Sequence, residues 1–367
     1  MDRRYISKIT VYYTLFLIIF SLLGIIIAGS LTVYSVTSID AFYFVRFLLI
    51  TLISIILVSL FFNYVNLNRV LSAGWLLLVL NLALVLSVEI FGKEINGSKR
   101  WLDFGFLSLQ PSEFMKISYA LFVIQYLRFF NFKFNIFRSF LLLSILFITA
   151  APIIIQPDLG TGLIYILSGL MLLFICGMRR IYFILMGLSA ILLSPVIYNF
   201  FLTDYQRGRI ISWFSTNQSL SEKWNILQSE ISIGSGGLFG DGFLNSKQNE
   251  FNFLPEADTD FIFSIFAEQF GYVGVVIVLF LLTVFVILSM IVVMQQKRLT
   301  TDMSPYYLGT YFTFIIGFSF LMNVLMVSGL IPVVGLPLPF FTKGGSSLLC
   351  FSIMLGLIFS SRGFLRG

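Results

Sequence analysis

Histidine is absent from all 367 residues. Its absence removes the commonest metal ligand, the commonest general base near neutral pH, and every catalytic triad built on an imidazole, leaving Asp, Glu, Lys or Tyr for proton transfer. Cysteine is almost as scarce. Cys176 and Cys350 each sit inside an apolar run without a partner at a meaningful spacing, so the chain offers neither a thiolate metal cluster nor a disulfide framework. They read as two small core residues. Charge is scarce too, at 11%, against 58% hydrophobic residues and 43 Phe. That balance is the profile of a chain that crosses a bilayer many times.

Each crossing takes about 20 apolar residues, because lipid offers the backbone no hydrogen-bond partner and every segment must satisfy its own. The apolar runs predict ten spans, near 10–28, 43–62, 72–91, 113–130, 139–156, 160–176, 181–201, 261–294, 306–331 and 344–361. Only part of the 261–294 run is expected inside the bilayer. The fold class expected is an all-α polytopic membrane protein, one integral membrane domain over 1–367 with a single long loop at about 202–260. The apolar run after MDRRYISK is too long for a signal h-region and has no small-residue cleavage site, so it reads as a retained first helix.

Loop charges set the orientation. A cytoplasmic N-terminus puts Arg3, Arg4, Lys8, Arg69, Arg128, Lys133, Arg138, Arg179, Arg180, Lys297, Arg298, Arg362 and Arg366 on the inner side, more than half of the 23 basic residues. Only Asp2 and Asp302 of the 17 acidic residues join them. By the positive-inside rule both termini are then cytoplasmic and the long loop lies outside. The net charge of +6 reflects this topology and is no nucleic-acid footprint.

Several polar constellations interrupt the apolar sequence. In NGSKRWLDFGFLSLQPSEFMK, residues 96–116, Pro111 suits the first turn of a helix. Glu113 and Lys116 are three apart, so they share a face and can pair, either as a structural ion pair or as part of a site. Arg100 beside Trp101 suits an interfacial anchor or a contact to a lipid-linked phosphate. Gln156, Pro157 and Asp158 form an outer turn that reads as structural. Tyr205, Arg207 and Arg209 in the long loop suit an anionic headgroup or a loop anchor, and KWNILQSEISI suits a short amphipathic helix at the interface.

The densest acidic stretch runs from Gly234 to Gly274 and holds Asp241, Glu250, Glu256, Asp258, Asp260 and Glu268. Its GSGGLFG run has neither the GxGxxG spacing nor a following Gly-Lys-Ser/Thr, so a tight backbone turn outweighs nucleotide binding. Asp260 is followed at once by Phe261, Ile262 and Phe263, where loop meets bilayer. Partial desolvation at such an edge favours a working base, and a helix cap fits the position equally well. Finally, IPVVGLPLPFFTKGGSSLL, residues 331–349, breaks the outer ends of the last two spans with prolines and glycines. Irregular backbone at membrane depth is tolerated only inside protein or beside a cavity, which Lys343 would face.

Taken in order, NGSKRW, QPSEFMK, QPDLGTG, IGSGGLFGDGF, FLPEADTDFIFSIFAEQFG and PVVGLPLPFFTKGGSSL resemble the motifs of the SEDS family, the shape, elongation, division and sporulation proteins, across nearly the whole chain. The QPDLGT and PVVGLPLPF forms look more like the elongation branch than the division branch. The resemblance implies a ten-helix polymerase that joins lipid II into glycan strands at the outer face of the cytoplasmic membrane. It also implies a partner, a class B penicillin-binding protein that crosslinks the product. Asp260 matches the family's essential aspartate, and Glu113 and Lys116 match its charged pair at the start of the fourth span, in the central cavity. Lys343 and Asp241 depart from the family pattern, where Tyr and Lys are usual, and no role is transferred to them.

On that resemblance the expected chemistry has Asp260 accept the proton of the acceptor sugar's 4-hydroxyl as it attacks the anomeric carbon of the lipid-pyrophosphate donor. Lys116, Arg100, Arg207, Arg209 or a divalent cation such as Mg2+ or Mn2+ would neutralise the leaving pyrophosphate. An activated donor needs no nucleotide cofactor. A carrier that moves the lipid-linked precursor across the membrane and a non-catalytic scaffold for the transpeptidase are the rival classes, since buried charges and broken helices serve transporters as well.

Overall fold

The predicted apolar runs all become helix. In the computed structural model, which describes residues 3–36, 41–64, 66–95, 98–105, 108–156, 158–201, 207, 220–246, 253, 254, 257, 259–299, 301–333 and 335–359, the order is α1 (Arg3–Val36), α2 (Ala41–Tyr64), α3 (Leu67–Ser72), α4 (Gly74–Phe91), β1 (Lys93–Ile95), β2 (Ser98–Asp103), β3 (Ser108–Leu109), α5 (Pro111–Phe129), α6 (Ile136–Ile155), α7 (Leu159–Ile175) and α8 (Arg180–Val196). Then follow α9 (Leu220–Ser235), α10 (Ile262–Leu299), α11 (Ser304–Val327) and α12 (Gly345–Phe359). A π-helical turn, Ile197–Phe201, ends α8. Ten of these helices, all but α3 and α9, lie on the ten predicted spans. The protein is a multi-pass, all-α membrane protein with one small sheet.

By packing, the chain divides into two compact units, residues 67–218 and residues 1–66 with 219–367. In the first, α5 is the central helix, packed by α3, α4, α6 and α7. It is also the least apolar span, with Ser112, Glu113, Lys116, Ser118 and Tyr119 all buried. Lipid would not accept that row, and protein neighbours satisfy it instead. Asn81 Nδ2 donates to Ser118 Oγ at 3.2 Å and Tyr119 Oη donates to Leu142 O at 3.0 Å. The hydroxyls of Thr149 and Tyr165 share a hydrogen bond of 2.6 Å.

An antiparallel sheet of order β1-β2-β3 precedes α5. The apolar-run reading did not anticipate it, because strands this short leave no hydropathy signal. The cue lay in the dipeptide Asn96-Gly97, which favours two-residue hairpins; Ile95 pairs with Ser98 across it.

In the second unit α1 packs on α10, α2 on α12, and α11 on both α10 and α12. The feature that organises one end of it is a break in α10 at Gly271, where φ is 64° and ψ is −168°. An unbroken helix would pair Tyr272 N with Glu268 O and Val273 N with Gln269 O. The glycine-rich turn after α9 takes over all four groups. Tyr272 N donates to Gly237 O at 2.9 Å and Val273 N to Leu238 O at 3.1 Å, while Asp241 N donates to Glu268 O at 2.9 Å and Gly242 N to Gln269 O at 3.2 Å. The glycines therefore serve close backbone approach and not phosphate binding. A β-carbon on Gly236, Gly240 or Gly271 would collide with Ala267 O, Gln269 O or Gly240 N respectively.

Gly240 also has a φ of 81°. We expect Gly240→Ala to prise the turn off α10, at a cost of about 1–3 kcal/mol for the strained backbone alone. A lowered Tm in detergent, with faster proteolysis around residues 236–246, would register it; an unchanged Tm would count against the inserted-turn arrangement.

Candidate active site

Residues 67–218 carry one group of candidate side chains. Pro111 opens α5 at its first turn and Glu113 follows in that turn, where the helix dipole favours a carboxylate. Lys116 Nζ donates to Glu113 Oε2 at 2.7 Å, and both side chains are buried. Spacing on one helix predicted this pairing. The neighbouring ion pair it did not predict. Arg100, carried on β2, places Nη1 3.6 Å from Asp158 Oδ1 and donates from Nε to Gln156 O at 3.3 Å. Gln110 Nε2 donates to Asp158 Oδ2 at 2.9 Å, just before α5 begins. Asp158 is at the same time the N-cap of α7, accepting from Thr161 N at 3.2 Å.

The turn that read as structural thus gathers a carboxylate, a guanidinium and an amide beside the α5 pair. Burial raises the Asp158 carboxyl above its ordinary value, and the nearby Glu113 charge adds to that; Arg100 and the Thr161 hydrogen bonds pull downward without cancelling it. The folded protein consequently holds this proton more tightly than the unfolded chain. The stability it contributes is complete below the ordinary value of 3.8 and is lost as pH rises through the raised folded value. Asp158→Asn cannot ionise and should flatten that decline. Thermal unfolding from about pH 4 to about pH 7 reads it, and equal slopes for the two proteins would discount the effect.

Arg207 is held differently. Its guanidinium donates to Tyr198 O at 3.0 Å and Asn199 O at 2.8 Å, closing the π-helical end of α8. Arg209 lies outside the described residues, as do Glu250, Glu256, Asp258 and Tyr205.

The other compact unit carries Asp260, in the turn immediately before α10. Phe261, Ile262 and Phe263 are buried beneath it, which fixes the turn, while Asp260 itself is half-buried. Its main-chain oxygen accepts from Asn323 Nδ2 of α11 at 3.0 Å. Beside the carboxylate runs the broken segment after α11. A β-carbon on Gly335, where φ is 66°, would stand 3.2 Å from Asp260 Oδ2, so the bare glycine backbone walls the carboxylate closely.

Two turns further along α10 lies Glu268, almost fully buried. Ser246 Oγ donates to its Oε2 at 2.6 Å. Ser232 Oγ on α9 lies 3.2 Å from the same oxygen and 2.9 Å from Ser264 O, sharing one proton between them. Ser229 Oγ of α9 bonds Ser264 Oγ and Val327 O, each at 2.6 Å. The expected loop helix is therefore present, and its serine face is turned to protein. Trp224, Leu227 and Ile231 stay on its exposed side. Among the described residues no three His, Cys, Asp or Glu side chains gather into a metal site.

The sequence profile described as Cell cycle protein, covering FtsW, RodA and SpoVE, matches residues 9–365. The chain belongs to this family. The match runs through both compact units, and it is the family that the six motifs resembled. The peptidoglycan glycosyltransferase MrdB of Escherichia coli K12 is 35% identical over 293 residues, covering 78% of this chain and 77% of its own. The probable peptidoglycan glycosyltransferase FtsW of Tolumonas auensis is 34% identical over 351 residues, covering 92% and 88%. A chain solved in a study of how a peptidoglycan synthase complex coordinates polymerization and crosslinking superposes with a TM-score of 0.77 at 23% identity, covering 95% of this chain and 98% of that one. The rod shape determining protein RodA of Thermus thermophilus superposes at 0.70 and 24% identity, covering 95% and 97%. At those identities the two structures establish the fold of this FtsW/RodA/SpoVE family chain and nothing finer.

Sequence reasoning missed two residues of the family chain. Asp158 reads from sequence as part of a turn because its partners, Gln110 and Arg100, lie 48 and 58 positions away. Asn323 falls in none of the six motifs. The signal was present: a lone amide inside the apolar run FLMNVLMV, where a polar side chain at membrane depth is by default a candidate for function.

Proposed function

We propose that this chain is a peptidoglycan glycosyltransferase that polymerises lipid II into glycan strands at the outer face of the bacterial cytoplasmic membrane during cell elongation. The observation that carries the reading is 35% identity to the Escherichia coli enzyme of that name across 78% of the chain. Both termini are cytoplasmic on this reading, which the positive-inside distribution of loop Lys and Arg supports, and Asp260 then lies outside with the sugars.

Asp260 is the general base. As the acceptor sugar's 4-hydroxyl attacks the anomeric carbon of the donor, Asp260 takes the hydroxyl proton, and the lipid pyrophosphate departs with the electron pair of the broken C–O bond. A base so placed contributes about 10²–10⁴-fold. Lys116 and Arg100 are the leading candidates to neutralise the leaving group, each already matched to a carboxylate, Glu113 and Asp158. Arg207 faces main chain, and Arg209 completes the set. A divalent cation such as Mg2+ or Mn2+ would serve through its affinity for pyrophosphate oxygens. Among the described residues no three His, Cys, Asp or Glu side chains gather to hold it. A class B penicillin-binding protein is the partner that would crosslink the strands.

The reading is tested by supplying lipid II to the purified protein, with and without that partner, and resolving products by gel, beside a lipid-translocation assay in vesicles. Glycan polymer supports the polymerase. Translocation without polymer would instead favour the carrier, and neither activity would leave the scaffold.

A further inference from the structure

Asn323 links the two pieces of main chain that flank the Asp260 carboxylate. It lies on α11, is completely buried, and its side-chain nitrogen donates both to Asp260 O, at 3.0 Å, and to Leu336 O. Two carbonyl acceptors identify that end of the amide as the nitrogen, since an oxygen there would face two oxygens. Its own Oδ1 has no hydrogen-bond partner among the described residues.

The two partners have different tasks. Asp260 O belongs to the turn that carries the carboxylate, and that turn is not yet helix. Leu336 O belongs to the irregular segment between α11 and α12, next to Gly335, the residue whose bare backbone walls Asp260 Oδ2. Pro332, Pro337 and Pro339 deny this segment a regular hydrogen-bond ladder, so its position depends on side-chain ties of this kind. The amide bridges the turn and the wall directly, and its removal lets either shift against the other.

We propose that Asn323 is a positioning residue for Asp260: by holding both strands of backbone it fixes the carboxylate against its Gly335 wall, without touching substrate. The inference rests on Asp260 being the general base. A displacement of about 1 Å at a reacting group costs on the order of 10²-fold in rate, so the effect of freeing the carboxylate falls on turnover and not on substrate affinity.

The test uses the full-length protein and lipid II. Asn323→Leu keeps the volume and removes both donors; Asn323→Thr, smaller and with one hydroxyl, serves where the leucine variant fails to fold. Rates are normalised to monodisperse, folded protein and measured across pH. We expect kcat to fall by about 10²-fold with KM for lipid II held within about twofold, and the acid limb of the pH profile to move, because the environment of the base has changed. Unchanged kcat per folded molecule would overturn the inference, as would a raised KM at constant kcat. Asp260→Asn is run in parallel. If that variant polymerises at the parent rate, the base assignment itself has failed. If it is inactive while Asn323→Leu turns over normally, the positioning role alone has failed.

Discussion

Asp260→Asn should reduce lipid II polymerisation by about 10²–10⁴-fold, the range expected when a positioned general base is lost, while leaving the fold intact. Activity and stability are expected to separate here. The Asp260 turn is tied down through its main-chain oxygen, bonded to Asn323 Nδ2 at 3.0 Å, and through the buried side chain of Phe261, and neither of these two contacts depends on the carboxylate. An amide of the same shape should therefore keep the turn in place and the Tm close to that of the parent, yet be unable to accept the acceptor sugar's proton. The measurement is glycan chain formation by purified protein, with Tm recorded on the same preparation. Polymerisation at the parent rate would remove Asp260 as the base. A fall in activity matched by loss of folded protein would mean that the carboxylate serves structure instead.

The second large effect is expected at the buried pair on α5. Lys116→Met leaves Glu113 as a desolvated carboxylate without its cation, 2.7 Å away in the parent, and breaking such a pair by removing one partner costs about 3–5 kcal/mol. The neighbouring charge makes matters worse, since the Asp158 carboxyl already feels Glu113. Replacing both partners, Glu113→Gln with Lys116→Met, removes the uncompensated charge and should recover most of the lost stability, because a buried pair of neutral groups is often as stable as the ion pair. Activity should not return with it if Lys116 meets the departing pyrophosphate. Unfolding midpoints and polymerisation rates for the single and double variants decide the matter. Equal stability of the two would contradict the buried-charge argument, and full activity in the double variant would free Lys116 of any part in catalysis.

These expectations draw on information of two kinds. The ten spans were legible because a bilayer forces each crossing to satisfy its own backbone, which writes a run of about 20 apolar residues into the sequence. Even α5 was found, although its polar row belongs to a helix enclosed by protein. The Glu113–Lys116 contact was legible because three residues along a helix is less than one turn, a distance that local geometry fixes. The break at Gly271 was not, since a glycine inside a long apolar run gives no sign of whether another segment will insert there. The sheet over 93–109 escaped for a related reason, its strands being too short to show a period.

By itself, then, the sequence determined that this is a multi-pass, all-α membrane protein and which family it belongs to, and its resemblance to that family pointed to Asp260 among six clustered carboxylates. Tertiary structure alone decided that the glycine run fills a helix break, that Arg100 meets Asp158, and that Asn323 ties Asp260 to the segment beyond α11. The physical reason is separation along the chain. Those contacts join residues tens of positions apart, and their geometry depends on how helices pack, which no spacing within a single segment encodes.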